Sequence, residues 1–307
     1  MNNIKNIKLE GLAKAVKVLL GEDYIVESGI NPKNNEEVMY VSIRREGDNI
    51  SPLMYVAEQD LEDIPVEELA RAVVDRYYSL PKTPRYDMSF ATDFEVAKDK
   101  IFYRMVSANN TTYLEGKVYE PYLDLAKVYY VRLNEGASVV VNDGMLANWG
   151  VSKEEIIAIG NENMLNSKYE VIDMANVYIK AMMAAGASRE EAESNVELML
   201  EEADVKMVIL RYENNISGAS VILNKSALRE CYNLIGGDYI IIPSSTMEVI
   251  AFPADIDATE EAILEMVEQV NATAVEAQDV LSNSVYRYNA ETEEVTLIAT
   301  RKVEEVA

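Results

Sequence analysis

Asp255, Asp257 and Thr259 stand in a D-x-D-x-T pattern directly after an apolar run. In phosphatases that use such a pattern, two carboxylates hold magnesium and one of them attacks phosphorus. The setting here does not fit. Pro253 and Ala254 intervene before the first Asp, and the chain ends at residue 307, which leaves too little room for the rest of such a site. The same residues read more simply as a helix start, with Thr259 as cap and Glu260 and Glu261 at the positive end of the helix dipole. Ser244, Ser245 and Thr246 follow Pro243 between two strand-like runs. A nucleophilic serine needs a base, and neither a histidine nor a Ser-x-x-Lys partner is at hand. A hairpin turn is the simpler reading, with Ser244 and Ser245 as candidate ligand-facing hydroxyls. Cys231 lies with Leu228, Tyr232 and Ile235 at helical spacing, which predicts a buried structural thiol. Asp124, Glu248 and Asp255 each flank a predicted strand or turn. They are the candidate carboxylates for acid–base or metal chemistry, should a pocket gather them.

The absence of histidine removes Ser-His-Asp triads, Cys-His dyads and His-containing zinc sites. One cysteine excludes an internal disulfide and fits a cytoplasmic compartment. No P-loop, GxGxxG or CxxC is present, so no cofactor and no metal is predicted. With 53 acids against 28 bases the net charge is −25. That surface repels nucleic acid and anionic membranes and accepts a protein partner with a basic surface. The 19 tyrosines, lacking a basic patch, are read as strand packing rather than as a base-stacking platform. The runs EQDLEDIPVEE and REEAESNVELMLEEAD are acidic enough to suggest a nucleic-acid mimic, but Val196, Met199, Leu200 and Ala203 give the second an apolar stripe, as an ordinary solvated helix has. No apolar run is long enough to span a bilayer.

These residues must be held by an α+β fold. Leu9, Leu12, Val16 and Leu19 share one helical face, and Gly21 stops that helix. DYIVESGI, EVMYVSIRR and ISPLMYVAE read as three strands, followed by a helix around 65–79 with Leu69, Val73 and Tyr77 on one face. Residues 1–80 are therefore expected to form one unit. Residues 81–99 are the expected connector, and 100–307 a second, α+β domain. Within it Ser152-Lys-Glu-Glu155 and Ser188-Arg-Glu-Glu191 fit capping boxes, and Gly186 separates helices of 173–185 and 189–203. A helix of 259–271 is expected to bury Ile263, Met266, Val267 and Val270, and SVYRYN with EVTLIATRK predicts a final hairpin.

One phrase occurs twice. GASVVVNDGML starts at Gly136 and GASVILNKSAL at Gly218. Each is read as the turn and return strand of a hairpin, closed by an asparagine, Asn142 or Asn224, that caps the next helix. The expected units, around 129–148 and 206–235, would make a repeated ββα element in largely antiparallel sheets.

NISPLMYV near residue 49, VYEPYLDLAKVYYV near 118, MLANWGVSKEEI near 145, GGDYIIIPSSTMEVIAFP near 236 and VNATAVEAQDVLSNSVYRY near 270 resemble, in order and over nearly the whole chain, the domain of unknown function 5688 family of gut Firmicutes. Met145 to Ile256 is more faintly similar to the uncharacterised YtpQ-like family. The resemblance implies a cytoplasmic protein and no established activity. It also implies histidines at the position of Met247 and near Tyr119; both are absent here, which speaks against histidine-dependent chemistry. Three functional expectations follow, in order. The first is a non-catalytic binding or interaction module. The second is an acidic inhibitor of a nucleic-acid-binding protein, and the third a carboxylate-dependent hydrolase or transferase.

Overall fold

The computed structural model describes residues 2–81, 87–134, 136–203, 206–213, 217–243 and 245–301, with the backbone alone for residues 2–4 and 199–203. The chain divides into two compact units, Met1–Met88 and Ser89–Ala307.

In the first unit, α1 (Asn2–Leu20) precedes an antiparallel sheet of β1 (Tyr24–Lys33), β2 (Glu36–Arg45) and β3 (Leu53–Val56), then α2 (Glu58–Asp63) and α3 (Val66–Ser79). Leu9, Leu12 and Val16 of α1 and Leu69 and Val73 of α3 share a core with Val41 and Ile43. Leu19 is not part of it: Ala13 takes the fourth place on that face, and Leu19 is 49% exposed.

In the second unit, residues 89–99 of the expected connector are not a free tether. A 3-10 turn at Ser89–Ala91 and α4 (Phe94–Ala97) bury Phe90 and Ala97. Next come β4 (Ile101–Ser107), α5 (Thr111–Leu114), β5 (Tyr119–Tyr122), β6 (Leu125–Arg132), β7 (Ser138–Val140), α6 (Asp143–Trp149) and α7 (Lys153–Leu165). They form an antiparallel sheet in which β4 lines one edge of β6 and β5 and β7 share the other. Gly160 lets α7 come down on this sheet, since a Cβ there would meet the Tyr129 ring at 2.6 Å.

The rest of the unit is β8 (Tyr169–Asp173), α8 (Met174–Ala184), α9 (Arg189–Ala203), β9 (Val208–Tyr212), α10 (Lys225–Ile235), β10 (Tyr239–Ile242), β11 (Val249–Pro253), α11 (Glu260–Ala274), β12 (Ser284–Asn289) and β13 (Glu294–Thr300). Its sheet runs β13-β12-β10-β11-β9-β8, antiparallel throughout. Largely antiparallel sheets interleaved with helices make the fold α+β.

The first copy of the repeated phrase forms the hairpin: β6 pairs with β7, and Asn142 starts α6. The second does not. Gly218–Leu223 is a 3-10 turn, buried from Gly218 to Ile222. The reason is edge occupancy. β9 pairs with β11 on one side and with β8 on the other, so no edge is left for a return strand. β8 is the strand that sequence periodicity passes over. The turn instead ties two sheets together, with the Ser220 hydroxyl accepting from the Met105 amide of β4 at 3.1 Å and the Ala219 amide donating to the Thr246 carbonyl at 3.2 Å. In α11 the buried face is Ile263, Leu264, Val267 and Asn271, while Met266 and Val270 are 45% and 43% exposed. The stripe turns because Asn271 reaches inward, donating to the Ser282 carbonyl at 3.1 Å and to Asn283 at 2.7 Å.

Candidate functional site

The sequence-predicted carboxylates are not brought together. Asp124, half-buried just before β6, accepts from the hydroxyls of Ser282 (2.5 Å), Ser284 (2.8 Å) and Tyr286 (2.6 Å). Three hydroxyl donors occupy it as a tie between the sheets. Glu248 stands 3.8 Å from Arg211 of β9, and Asp255 is exposed in the turn after β11. Ser244 lies outside the described residues. Ser245 belongs to the turn: its hydroxyl accepts from the Met247 amide at 3.1 Å and its own amide donates to the Glu248 carbonyl.

The capping groups are all engaged. Asn142 accepts from the Met145 amide (3.1 Å), and Asn224 from Ser226 (3.0 Å) and Ala227 (3.1 Å). Ser152 and Glu155 exchange reciprocal bonds, as do Ser188 and Glu191. Thr259 accepts from the Ala262 amide. Cys231 is fully buried, and burial pushes its thiol up to about 12. Such a group is protonated and inert near neutral pH.

Two clefts open on the four-stranded sheet. The larger, about 680 Å³, is lined by Thr111, Thr112, Glu115, Lys117, Tyr119 and Asp143. It holds two carboxylates, Glu115 and Asp143, that position in the sequence did not single out. Lys117 lies 3.8 Å from the Tyr113 ring centre, and burial lowers its pKa. The smaller cleft, about 410 Å³, lies where β4 begins and β6 ends. On the opposite face, Glu120 accepts from Lys127 (2.5 Å) and Tyr129 (2.6 Å). Burial acts to raise the Glu120 pKa, but those two donors outweigh it and the net shift is downward. Among the described residues, no group of three or more Asp, Glu and Cys side chains is placed to hold a metal ion. No helix among them is long and apolar enough to cross a membrane.

The most unusual surface is α8. Its sequence, MANVYIKAMMA, has only Asn176 and Lys180 as polar residues besides the Tyr178 hydroxyl. A helix apolar nearly all round is ordinarily buried. Here no residue of α8 is buried. Asp173 caps it, accepting from the Ala175 amide, and Lys206 stands 3.4 Å from the Asp173 carboxylate. α9 is its main packing partner, contributing the buried Ala192 and Val196. Val177, Tyr178, Ala181, Ala184 and Ala185, one stripe at helical spacing, all face solvent. α9 exposes Glu190, Glu191, Glu193 and Glu197, of which Glu193 pairs with Arg189 at 2.7 Å and Glu191 accepts from Ser188. The helix itself is legible in the sequence; its exposure is not, although an all-round apolar helix joined by a short turn to an acidic one is the available signal.

Comparison with curated proteins and with solved structures gives no match. The family model for a family of unknown function, DUF5688, matches residues 8–290, nearly the whole chain, and the protein belongs to that family.

Proposed function

We propose that this protein is a non-catalytic binding module that docks a basic, amphipathic partner segment on α8 and its acidic neighbour α9. The observation that carries this reading is that α8, apolar on nearly every side, buries no residue. Hydrophobic surface gains about 25 cal/mol per Å² when covered, and an uncovered helical stripe of this kind marks a site where something binds. The flanking charge selects the occupant. Glu190 and Glu197, exposed on α9 and outside the ion pairs of the described residues, favour Lys or Arg on a segment that lays an apolar face on α8, the helix-in-groove mode of recognition. A second copy of the chain carries the same net charge of −25, which opposes self-association.

The test uses the full chain and a synthetic helical peptide with leucines on one face and lysines on the other, read by fluorescence anisotropy. The peptide binds, and added salt weakens binding. Val177→Ser with Tyr178→Ser weakens it by about tenfold or more, since an apolar side chain buried at an interface contributes about 1.5–3 kcal/mol. Glu190→Gln with Glu197→Gln flattens the salt dependence. Equal binding by wild type and both double variants refutes the proposal. A wild-type dimer that the Val177→Ser, Tyr178→Ser variant converts to monomer assigns the face to self-association instead.

A further inference from the structure

Arg104 and Arg132 occupy the same face of the four-stranded sheet. The register pairs Phe102 with Tyr130, and because the strands are antiparallel the two arginines, each two residues past its ring, flank this pair from opposite sides. The rings are stacked, 5.7 Å apart. The Arg104 guanidinium lies 4.5 Å from the Tyr130 centre and 5.5 Å from the Phe102 centre, and that of Arg132 lies 4.9 Å from the Phe102 centre. Two cations therefore share one aromatic ring. Arg104 donates to the Ser138 hydroxyl at 2.6 Å, while its Nε is shielded from solvent without an acceptor. Among the described residues, neither guanidinium has a carboxylate within 4.0 Å. Their mutual repulsion and burial hold the Arg104 pKa below its ordinary value, burial being the larger cause.

We propose that Arg132, with Lys100, forms an oxyanion site that takes a carboxylate or phosphate group of a small ligand in the cleft of about 410 Å³ beside Phe102, with Arg104, outside the cleft lining, adding positive charge from the other side of the ring pair. Arg132, Lys100, Asn134 and Asn163 line that cleft, with Asp99 also in its lining. The planar guanidinium offers paired N–H donors that match a carboxylate or phosphate, and stacking on Phe102 fixes its plane. The site is independent of α8, which lies on other elements.

Thermal unfolding and isothermal titration of the full chain test it, with inorganic phosphate and citrate as probes against sodium chloride at equal ionic strength. At least one probe raises the unfolding temperature of the second unit above the chloride control, and whichever binds identifies phosphate or carboxylate as the group taken. Arg132→Gln weakens that binding by about tenfold or more, the loss of a charge-assisted bidentate contact. Arg104→Met, which removes a half-buried cation lacking a counter-charge, keeps or raises stability in chloride and weakens the probe's effect less than Arg132→Gln does. No difference between either probe and chloride, or an equal effect in Arg132→Gln, overturns the proposal. So does a large loss of stability of Arg104→Met in chloride alone, which would make the guanidinium a structural strut.

Discussion

Gly218→Ala is expected to open the second unit, whereas Gly136→Ala, the same change in the other copy of the phrase, leaves it intact. A Cβ on Gly218 would stand 1.6 Å from the Met247 carbonyl oxygen and 2.6 Å from its carbon. The obstacle is backbone, so no rotamer relieves it, and the two segments must part by about 2 Å in a close-packed interior. Overpacking of this kind costs about 1–3 kcal/mol. Parting also strains the Ala219–Thr246 bond and the buried Ser220–Met105 bond, each contributing about 1 kcal/mol. The total is about 3–5 kcal/mol, at the severe end for a point substitution. At Gly136 the nearest atom is the Asn134 side-chain oxygen at 4.0 Å, and the change costs no more than about 0.5 kcal/mol. With two units in the chain, a single melting temperature mixes transitions. Peptide-resolved hydrogen exchange separates them, and exchange in β9 and β11 should quicken by roughly two to three powers of ten in Gly218→Ala alone. Equal protection in the two variants would refute the seating of the 3-10 turn beneath Met247.

Asp124→Ala removes the acceptor of the Tyr286 hydroxyl, 0% exposed, while the Ser284 hydroxyl keeps Thr300 as an alternative, and should cost about 1–3 kcal/mol. Tyr286→Phe should then cost far less in the Asp124→Ala background than alone; additive losses in that double-mutant cycle would contradict the three-hydroxyl arrangement. Glu120 has its folded pKa lowered, so its contribution to stability is complete above the ordinary glutamate value of about 4.3 and fades as pH falls through the folded value. Glu120→Gln should flatten the acid limb of the stability–pH curve in that range, and an unchanged limb would show that Lys127 and Tyr129 do not hold the carboxylate charged.

How much of this was legible in the sequence depends on whether the cause was local. Capping is local: Ser152 and Glu155 meet because they stand three residues apart at a helix start, so spacing alone points to the bond. The first phrase folds as a hairpin for the same reason, with turn and strands contiguous. The second has almost the same letters and a different fate, decided by β8, which reaches β9 from beyond α8 and α9 and fills the edge a return strand would need. Asn271 turns the buried face of α11 through a contact at Ser282, invisible to a count of apolar spacing within the helix. Asp124 looked available because it flanks a strand, yet its three partners lie more than 150 residues away. Single-sequence periodicity carries no term for any of these.

The two surfaces proposed for binding depart from the surrounding rules in opposite directions. In a chain with 53 acids and 28 bases, several cations set on the sheets have a carboxylate beside them. Lys127 on β6 receives one, and so do Arg211 on β9 and Arg287 on β12. Arg132, on the same strand as Lys127, receives an aromatic ring instead. Likewise α3, α7, α10 and α11 each bury three or four residues, and α8, which is more apolar in sequence, buries none. Local choices in a folded protein ordinarily agree with one another, and the exceptions concentrate where function opposes stability. An anion bound at Arg132 and a basic helix that covers α8 would each be stabilised by the feature that makes the free protein locally unsatisfied. Ligand binding should therefore raise the stability of the second unit in both cases, through different residues and with different dependence on salt.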